Sequence, residues 1–119
     1  MNIEEFRDYC LMKNYVTESF PFDEETLVFK VAGKMFALVG LEHHPLTVSL
    51  KCDPEKALEL REEHEEIMPG YHMNKMLWNS VIIDGNLSYK LIRELIDDSY
   101  NLVVKGLTKK QRKEFGFES

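Results

Sequence analysis

Residues 70–83, GYHMNKMLWNSVII, carry the clearest signals for both the fold and a surface site. They include Trp78, the only tryptophan of the chain, and end in the β-branched apolar run that strands favour. We predict a short strand over residues 71–73, a tight connection at Asn74 and Lys75, and a longer strand over residues 77–83. Such a hairpin would gather the polar side chains of this stretch around its tip.

Helix and strand signals continue on both sides of this hairpin. The pattern predicts a helix over residues 2–12, a loop over 14–26, strands over 27–32, 35–41 and 47–52, and a turn at Gly33-Lys34. Asp53 and Pro54 mark the start of a helix that reaches about residue 67. Ser88 caps a long helix ending at Lys105 and Gly106, and Thr108 caps a last short helix.

These elements predict one domain over residues 1–119, of the α+β class. We expect a two-layer α/β arrangement, with an antiparallel five-stranded sheet packed by helices in the order α-β-β-β-α-β-β-α and a final turn of helix. The strand over residues 47–52 alternates apolar and polar side chains, which indicates one buried face and one solvated face.

The charge of the chain is unevenly distributed. Its formal net charge is −6, from 15 Lys and Arg and 21 Asp and Glu. Residues 105–119 hold five of the basic residues and only two of the acidic ones, which leaves this segment at +3 and residues 1–104 at −9. Proteins that bind DNA through its phosphates usually show a basic face, and here only the C-terminal segment predicts one.

The sequence contains few candidates for catalysis or metal binding. Glu42, His43 and His44 lie next to a proline in a predicted turn, and the glutamate-rich helix surface around residues 59–66 is typical of a solvated face. Cys10 and Cys52 show no metal-binding or catalytic spacing, which favours a reduced, cytoplasmic setting. We therefore expect no enzyme activity, no catalytic residue, no cofactor and no metal. The apolar runs are shorter than the ~20 residues of a membrane span, so we expect no membrane association.

The polar side chains of the predicted hairpin allow two accounts. In the first, Trp78 is a structural anchor, and His72 and Asn74 satisfy backbone groups of the turn. In the second, His72 and Lys75 bind an anionic ligand or a phosphate, and Trp78 or Tyr71 offers a stacking surface. The residues themselves favour the first account.

Four segments of the chain together resemble the MmcQ/YjbR family. They are SFPFDEETLVFKVAGKMFAL (19–38), LKCDPEKALELRE (50–62), PGYHMNKMLWNSV (69–81) and DDSYNLVVKGLTKK (97–110). The resemblance covers nearly the whole chain, and its most specific part is the HMNK-x-x-W core. It implies a two-layer fold akin to type III secretion chaperones and a double-wing mode of DNA binding.

The residues and the resemblance together leave three alternatives for the function. DNA binding ranks first, by a monomer, with contacts from Lys34, His72, Asn74, Lys75, Lys105, Lys109, Lys110, Arg112 and Lys113. The second is a protein-interaction module, since secretion-chaperone-like folds bind polypeptides and the chain offers Met12, Met35, Met68, Met73 and Met76. The third is a small-anion pocket around His72, Lys75 and Trp78.

Overall fold

The fold is a six-stranded antiparallel sheet with its helices packed on one face. A computed structural model of the chain describes residues 1–70 and 73–117. The elements are α1 (Ile3–Leu11), β1 (Val16–Ser19), β2 (Thr26–Val31), β3 (Lys34–Gly40), β4 (Leu46–Lys51), α2 (Pro54–Glu63), β5 (Ile67–Pro69), β6 (Trp78–Ile83), α3 (Tyr89–Lys105) and α4 (Lys109–Phe115). The strands lie in the order β1-β2-β3-β4-β6-β5.

Local capping explains where the helices begin. Asn2 and Glu5 form a capping box at α1, and Thr108 and Gln111 form another at α4. The Asp53 carboxylate accepts from a backbone N–H of the first turn of α2, and the Ser88 hydroxyl accepts from the Leu91 N–H at α3. These interactions satisfy amides that a helix cannot pair internally, so the four predicted helix starts are confirmed.

The core lies between the helices and one face of the sheet. Alternate strand residues such as Phe29, Val48 and Val81 point into it and are almost fully buried, together with Phe6 of α1 and Ile96 of α3. Helix α3 crosses the middle of the sheet, where the buried Ser99 hydroxyl donates to the Phe36 carbonyl and accepts from the Lys51 N–H. This contact fixes α3 against β3 and β4.

The α+β class and the antiparallel two-layer arrangement are confirmed, but the prediction of five strands is wrong. Residues 16–19, predicted as part of a loop, form β1 by pairing with β2 from Val16↔Val31 to Ser19↔Val28. A strand with alternating half-exposed residues has a weak apolar signal, and its existence depends on that long-range pairing.

The predicted end of α2 at about residue 67 is also wrong, and the predicted strand over residues 71–73 lies mostly outside the described residues. Helix α2 ends at Glu63, and Ile67–Pro69 forms β5 beside β6. Ile67 is buried at a helical spacing from Leu60, but it reaches the core from a strand. Met73 lies in a bend, and Tyr71 and His72 fall outside the described residues.

The turn between β2 and β3 is shifted by one residue from its predicted position. Val31 pairs with Lys34, so the two-residue loop is Ala32-Gly33, and Lys34 is the first residue of β3. Both loop residues have positive φ, 49° and 80°, as a type I′ hairpin requires.

Candidate nucleic-acid interface

The two ends of the sheet carry opposite charge. At one end β2 turns into β3, β4 leads into α2, β6 begins and α3 terminates; we call this the basic end and define it by residues 32–34, 51–56, 74–78 and 105–113. At the other end lie the connections at residues 20–25, 41–45, 64–66 and 84–88, which we call the acidic end. The antiparallel registers place the strand connections at these ends, and the contacts of Lys105 and Arg112 place residues 105–113 at the basic end.

Charged residues of opposite sign are separated between these two ends. The segments of the acidic end contain acidic residues and no basic ones, and those of the basic end contain mostly basic residues. The basic end holds Lys34, Lys51, Lys56, Lys75, Lys105, Lys109, Lys110, Arg112 and Lys113 against Asp53 and Glu55. The acidic end holds Asp23, Glu24, Glu25, Glu42, Glu65, Glu66 and Asp84 and no Lys or Arg. Repulsion from Glu42 raises the pKa of the Glu25 carboxyl, as expected where carboxylates are crowded. The molecule therefore has a local positive region despite its negative total.

Lys75 lies in a connector whose shape is held by α2. The Arg61 side chain donates to the Asn79 Oδ1 at 2.7 Å and to the backbone carbonyls of Lys75 and Trp78. Asn74 closes the turn, because its side chain accepts from the Met76 N–H at 2.9 Å. The Lys75 side chain is exposed, so the connector presents a cation on a fixed backbone.

Lys34 stands beside the tip of the β2–β3 hairpin and is exposed. Because Ala32 and Gly33 complete the turn in two residues, the hairpin is tight and its cation projects at the end of the sheet. The predicted turn between these two strands therefore forms a tight hairpin. The predicted tight connection at Asn74 and Lys75 belongs to a longer connector between β5 and β6.

The C-terminal cations lie around the end of α3 and on α4. Lys105 lines a small groove with Cys52 and Lys56, which places the end of α3 beside the start of α2. Phe115 packs edge-on against Tyr15 at 5.7 Å between ring centroids, so α4 lies next to the start of β1. The three lysines of α4, Lys109, Lys110 and Lys113, are exposed.

Arg112 differs from its neighbours because it makes a structural contact. Its guanidinium donates to the Lys105 carbonyl and so ties α4 to the last turn of α3. Its Nε is buried and has no hydrogen-bond partner among residues 1–70 and 73–117. Arg112 therefore helps to hold the lysines of α4 beside the end of α3.

The structure brings the predicted cations to one end of the sheet but does not gather them into a single cluster. Helix α4 is beside β1, whereas the Lys75 connector precedes β6, and three strands separate these two. At the usual strand spacing their distance across the sheet is about 19 Å. Lys34, Lys51 and Lys105 lie between them, so the basic end is a band across the sheet.

Salt bridges neutralise only part of this band. Lys56 pairs with Asp98, and this hydrogen bond is the main cause of the raised Lys56 pKa. Within the described residues Lys34, Lys75, Lys105 and the three α4 lysines form no salt bridge. These six side chains can therefore neutralise an external anion without first breaking an internal pair.

Trp78 lies on the face of the sheet opposite the helices. It is 8% exposed, and a Cβ added at Gly70 would lie 3.1 Å from the Trp78 Cβ. Trp78 is therefore largely buried beside Gly70, with little surface left for stacking. His72, which the sequence indicates as a candidate contact to an anion, lies outside the described residues.

The two cysteines have structural surroundings. The Cys10 thiol is fully buried, which raises its pKa to about 12, and burial also raises the pKa of Cys52. Neither is suited to act as a nucleophile.

The described residues contain no group of three or more His, Cys, Asp or Glu arranged to hold a metal ion. They also contain no helix long and apolar enough to cross a membrane.

Arg61 is the residue that the sequence did not single out. It lies among glutamates on α2, where a charged side chain normally faces solvent. Its partner Asn79 is 2% exposed, and an asparagine within an apolar strand was the available signal that some donor must reach this position.

Comparison with known proteins gives one consistent set of relatives. The YjbR family model matches residues 11–102. The uncharacterized protein YjbR of Escherichia coli (strain K12) is 36% identical over 113 residues, which cover 95% of this chain and 96% of the relative. The uncharacterized protein YbdF of Escherichia coli O157:H7 is 43% identical over 99 residues, covering 83% of this chain and 81% of the relative.

Solved structures show that the fold is shared as well. The Deinococcus radiodurans protein DR2400, a DUF419 domain, superposes with a TM-score of 0.92 at 45% identity, covering 98% of this chain and 89% of that one. A Pseudomonas syringae protein superposes with a TM-score of 0.74 at 32% identity, covering 86% of this chain and 98% of that one.

Proposed function

This chain belongs to the YjbR family, and from that premise and its charge distribution we propose that it is a non-enzymatic DNA-binding protein whose basic end contacts phosphates. The observation that supports the proposal is the segregation of charge between the two ends of the sheet. Duplex DNA carries one negative charge per about 1.7 Å of its axis, so a band about 19 Å wide faces about eleven charges. The acidic end would then point away from the duplex.

The geometry favours recognition of the DNA backbone over recognition of bases. The six lysines that form no salt bridge among the described residues are point charges on exposed stems, and none offers the bidentate donor group of an arginine. Such contacts neutralise phosphates without reading sequence. We therefore expect weak, sequence-independent binding that weakens steeply with salt.

A matched pair of single substitutions tests the location of the site. Lys75→Ala and Lys90→Ala remove the same charge, but Lys75 belongs to the basic end, whereas Lys90 lies in the first turn of α3 near the acidic end. Fluorescence anisotropy with a 20-base-pair duplex, repeated between 50 and 300 mM salt, gives affinity and salt slope. Lys75→Ala should weaken binding and reduce the slope by about 0.9, the value for one phosphate contact.

The triple variant Lys109→Ala, Lys110→Ala and Lys113→Ala extends the test to α4. It should reduce the slope by up to about 2.7 if all three lysines contact phosphates. Lys90→Ala should match the wild type in both quantities. Equal effects of Lys75→Ala and Lys90→Ala would show that only the net charge matters and would contradict a site at the basic end.

A second candidate function is the binding of a polypeptide, which the exposure of large apolar side chains favours. Met12 is 78% and Met76 69% exposed. Methionine side chains adapt to varied apolar partners. Retention of a defined partner by the wild type but not by a Met12→Ser, Met76→Ser variant, without any salt-dependent shift on DNA, would favour this function over the first.

A further inference from the structure

The face of the sheet opposite the helices contains a cleft of about 610 Å³ that the basic end does not use. Its floor is formed by β3, β4 and β6, and its walls are the connections that carry Phe22, His43 and Met73. This volume lies within the range of about 300–1,000 Å³ typical of small-molecule sites. Three walls around a sheet floor make a bounded site.

The floor carries two serine hydroxyls that are free to bind a ligand. Leu38 pairs with Ser49, and Ser49 pairs with Ser80, so these three residues lie side by side on adjacent strands across about 10 Å. Ser80 is only 7% exposed, and neither serine hydroxyl makes a hydrogen bond within the described part of the chain. By contrast, the neighbouring Thr47 hydroxyl donates to the Pro45 carbonyl. Two adjacent, sheltered donors of this kind point to a ligand that accepts hydrogen bonds.

The rest of the lining determines the charge and shape of such a ligand. Among residues 1–70 and 73–117, no Lys or Arg lines the cleft. The Asp23 carboxylate is already occupied, because it accepts from the backbone N–H groups of Glu25 and Thr26 and from the Thr26 hydroxyl. An ionised ligand would lose its hydration here without a countercharge, which is costly.

Two thioethers favour an aromatic ligand. Met35 and Met73 both line the cleft, and methionine sulfur makes favourable contacts with aromatic rings. The His43 ring lies against Gly40, where an added Cβ would come within 2.2 Å of its Cδ2, so the glycine leaves room for the imidazole at the rim. A flat molecule fits between this rim and the sheet floor.

We propose that this cleft binds a small, uncharged aromatic molecule through a hydrogen-bond acceptor that faces the Ser49 and Ser80 hydroxyls. The ring system lies over Leu38 between the two methionine side chains. This site shares no residue with the basic end, so the proposal does not depend on DNA binding.

A neutral fluorescent ketone is a suitable probe. Prodan, 6-propionyl-2-(dimethylamino)naphthalene, has a planar apolar body and one carbonyl acceptor, and its emission shifts to the blue in apolar surroundings. We expect saturable binding with one site per chain. The analogue with a carboxylate in place of the ketone should bind at least tenfold more weakly, because the described lining offers no cation.

Three variants locate the probe. Ser80→Ala should weaken prodan binding about fivefold, the factor for one hydrogen bond, and leave unchanged the affinity of 2-(dimethylamino)naphthalene, which has no carbonyl. Ser49→Val fills the floor and should reduce the affinity of both probes. Leu58→Ser removes an exposed apolar side chain from α2, outside the cleft, and should change neither.

Several results would overturn the proposal. The first is wild-type affinity for prodan in both Ser80→Ala and Ser49→Val, with both variants folded by circular dichroism. Loss of binding in Leu58→Ser, or equal affinity for the carboxylate analogue, would also overturn it, because either result would place the dye on a general apolar surface.

Discussion

Replacing Ser99 by alanine should destabilise the protein more than removing the hydroxyl of Ser49 or Ser80. Ser99 is fully buried, and its hydroxyl joins the Lys51 N–H at 2.8 Å to the Phe36 carbonyl at 2.5 Å. Phe36 lies at the irregularity between β2 and β3 and has no Cα partner in either neighbouring register. The hydroxyl therefore closes a gap in the hydrogen-bond ladder.

The magnitude follows from what the substitution leaves behind. A buried backbone group without a partner costs about 1–3 kcal/mol, and Ser99→Ala leaves two such groups while removing one buried hydroxyl. We expect a net loss of about 2–3 kcal/mol in the free energy of unfolding. For a chain of this length that corresponds to a fall of about 8–12 °C in Tm.

Urea denaturation followed by circular dichroism measures this loss directly. Ser49→Ala is the matched control, because Ser49 also lies at the centre of the sheet but its hydroxyl has no partner among the described residues. That variant should stay within about 0.5 kcal/mol of the wild type. A loss below about 0.5 kcal/mol in Ser99→Ala, or equal losses in both variants, would refute the bridging role.

Three further predictions concern reactivity, pH and backbone strain. Because burial raises the Cys10 pKa to about 12, Cys10 should react with a thiol reagent only on unfolding; rapid labelling of the native protein would contradict this. Hydrogen bonds from the Glu25 and Thr26 N–H groups hold the Asp23 pKa below its ordinary value of 3.8, so its stabilising effect is full above that pH and is lost as the pH falls through the lowered value. The difference in Tm between wild type and Asp23→Asn should therefore shrink in acid, and a constant difference would contradict the assignment. Gly33→Ala places a side chain at φ 80° and should cost about 1–2 kcal/mol in urea titrations, whereas Gly33→Asn should cost less; equal losses would argue against the left-handed turn.

Elements with local signals were predictable from the sequence. The helix starts at Asp53, Ser88 and Thr108 depend on a side chain that reaches the amide three residues away, so each is encoded within one turn of chain. The Ala32-Gly33 turn was found within one residue for the same reason. These features form as predicted because no tertiary contact overrides the local interaction.

Elements that depend on distant partners were not predictable. Val16–Ser19 is a strand because β2 lies beside it, and Ile67–Pro69 is a strand because β6 lies beside it. Ile67 misled the prediction because its apolar side chain follows Leu60 at helical spacing, whereas the helix ends at Glu63. The hydrophobic pattern gives burial, and burial alone does not distinguish a helix from a short strand.

The sequence predicts which residues belong to the candidate site. It does not predict how they are arranged on the surface of the protein. The sequence places Lys75 and the α4 lysines far apart in the chain, and only the strand order brings them to one end of the sheet. The same order collects seven carboxylates at the other end. The contact of Arg61 with Asn79 and the pairing of Ser49 with Ser80 had no sequence signal strong enough to predict them, because both depend on the register of β6.

Mapping the contact surface with an unlabelled DNA duplex tests the central claim most directly. In a titration followed by ¹H–¹⁵N NMR correlation spectra, binding at the basic end predicts shifts in the amides of residues 33–34, 74–76 and 105–113, which reverse at 300 mM salt. The amides of residues 23–25, 42 and 65–66 should stay unchanged. Shifts centred on the acidic end, or no shifts at 50 mM salt, would contradict the account.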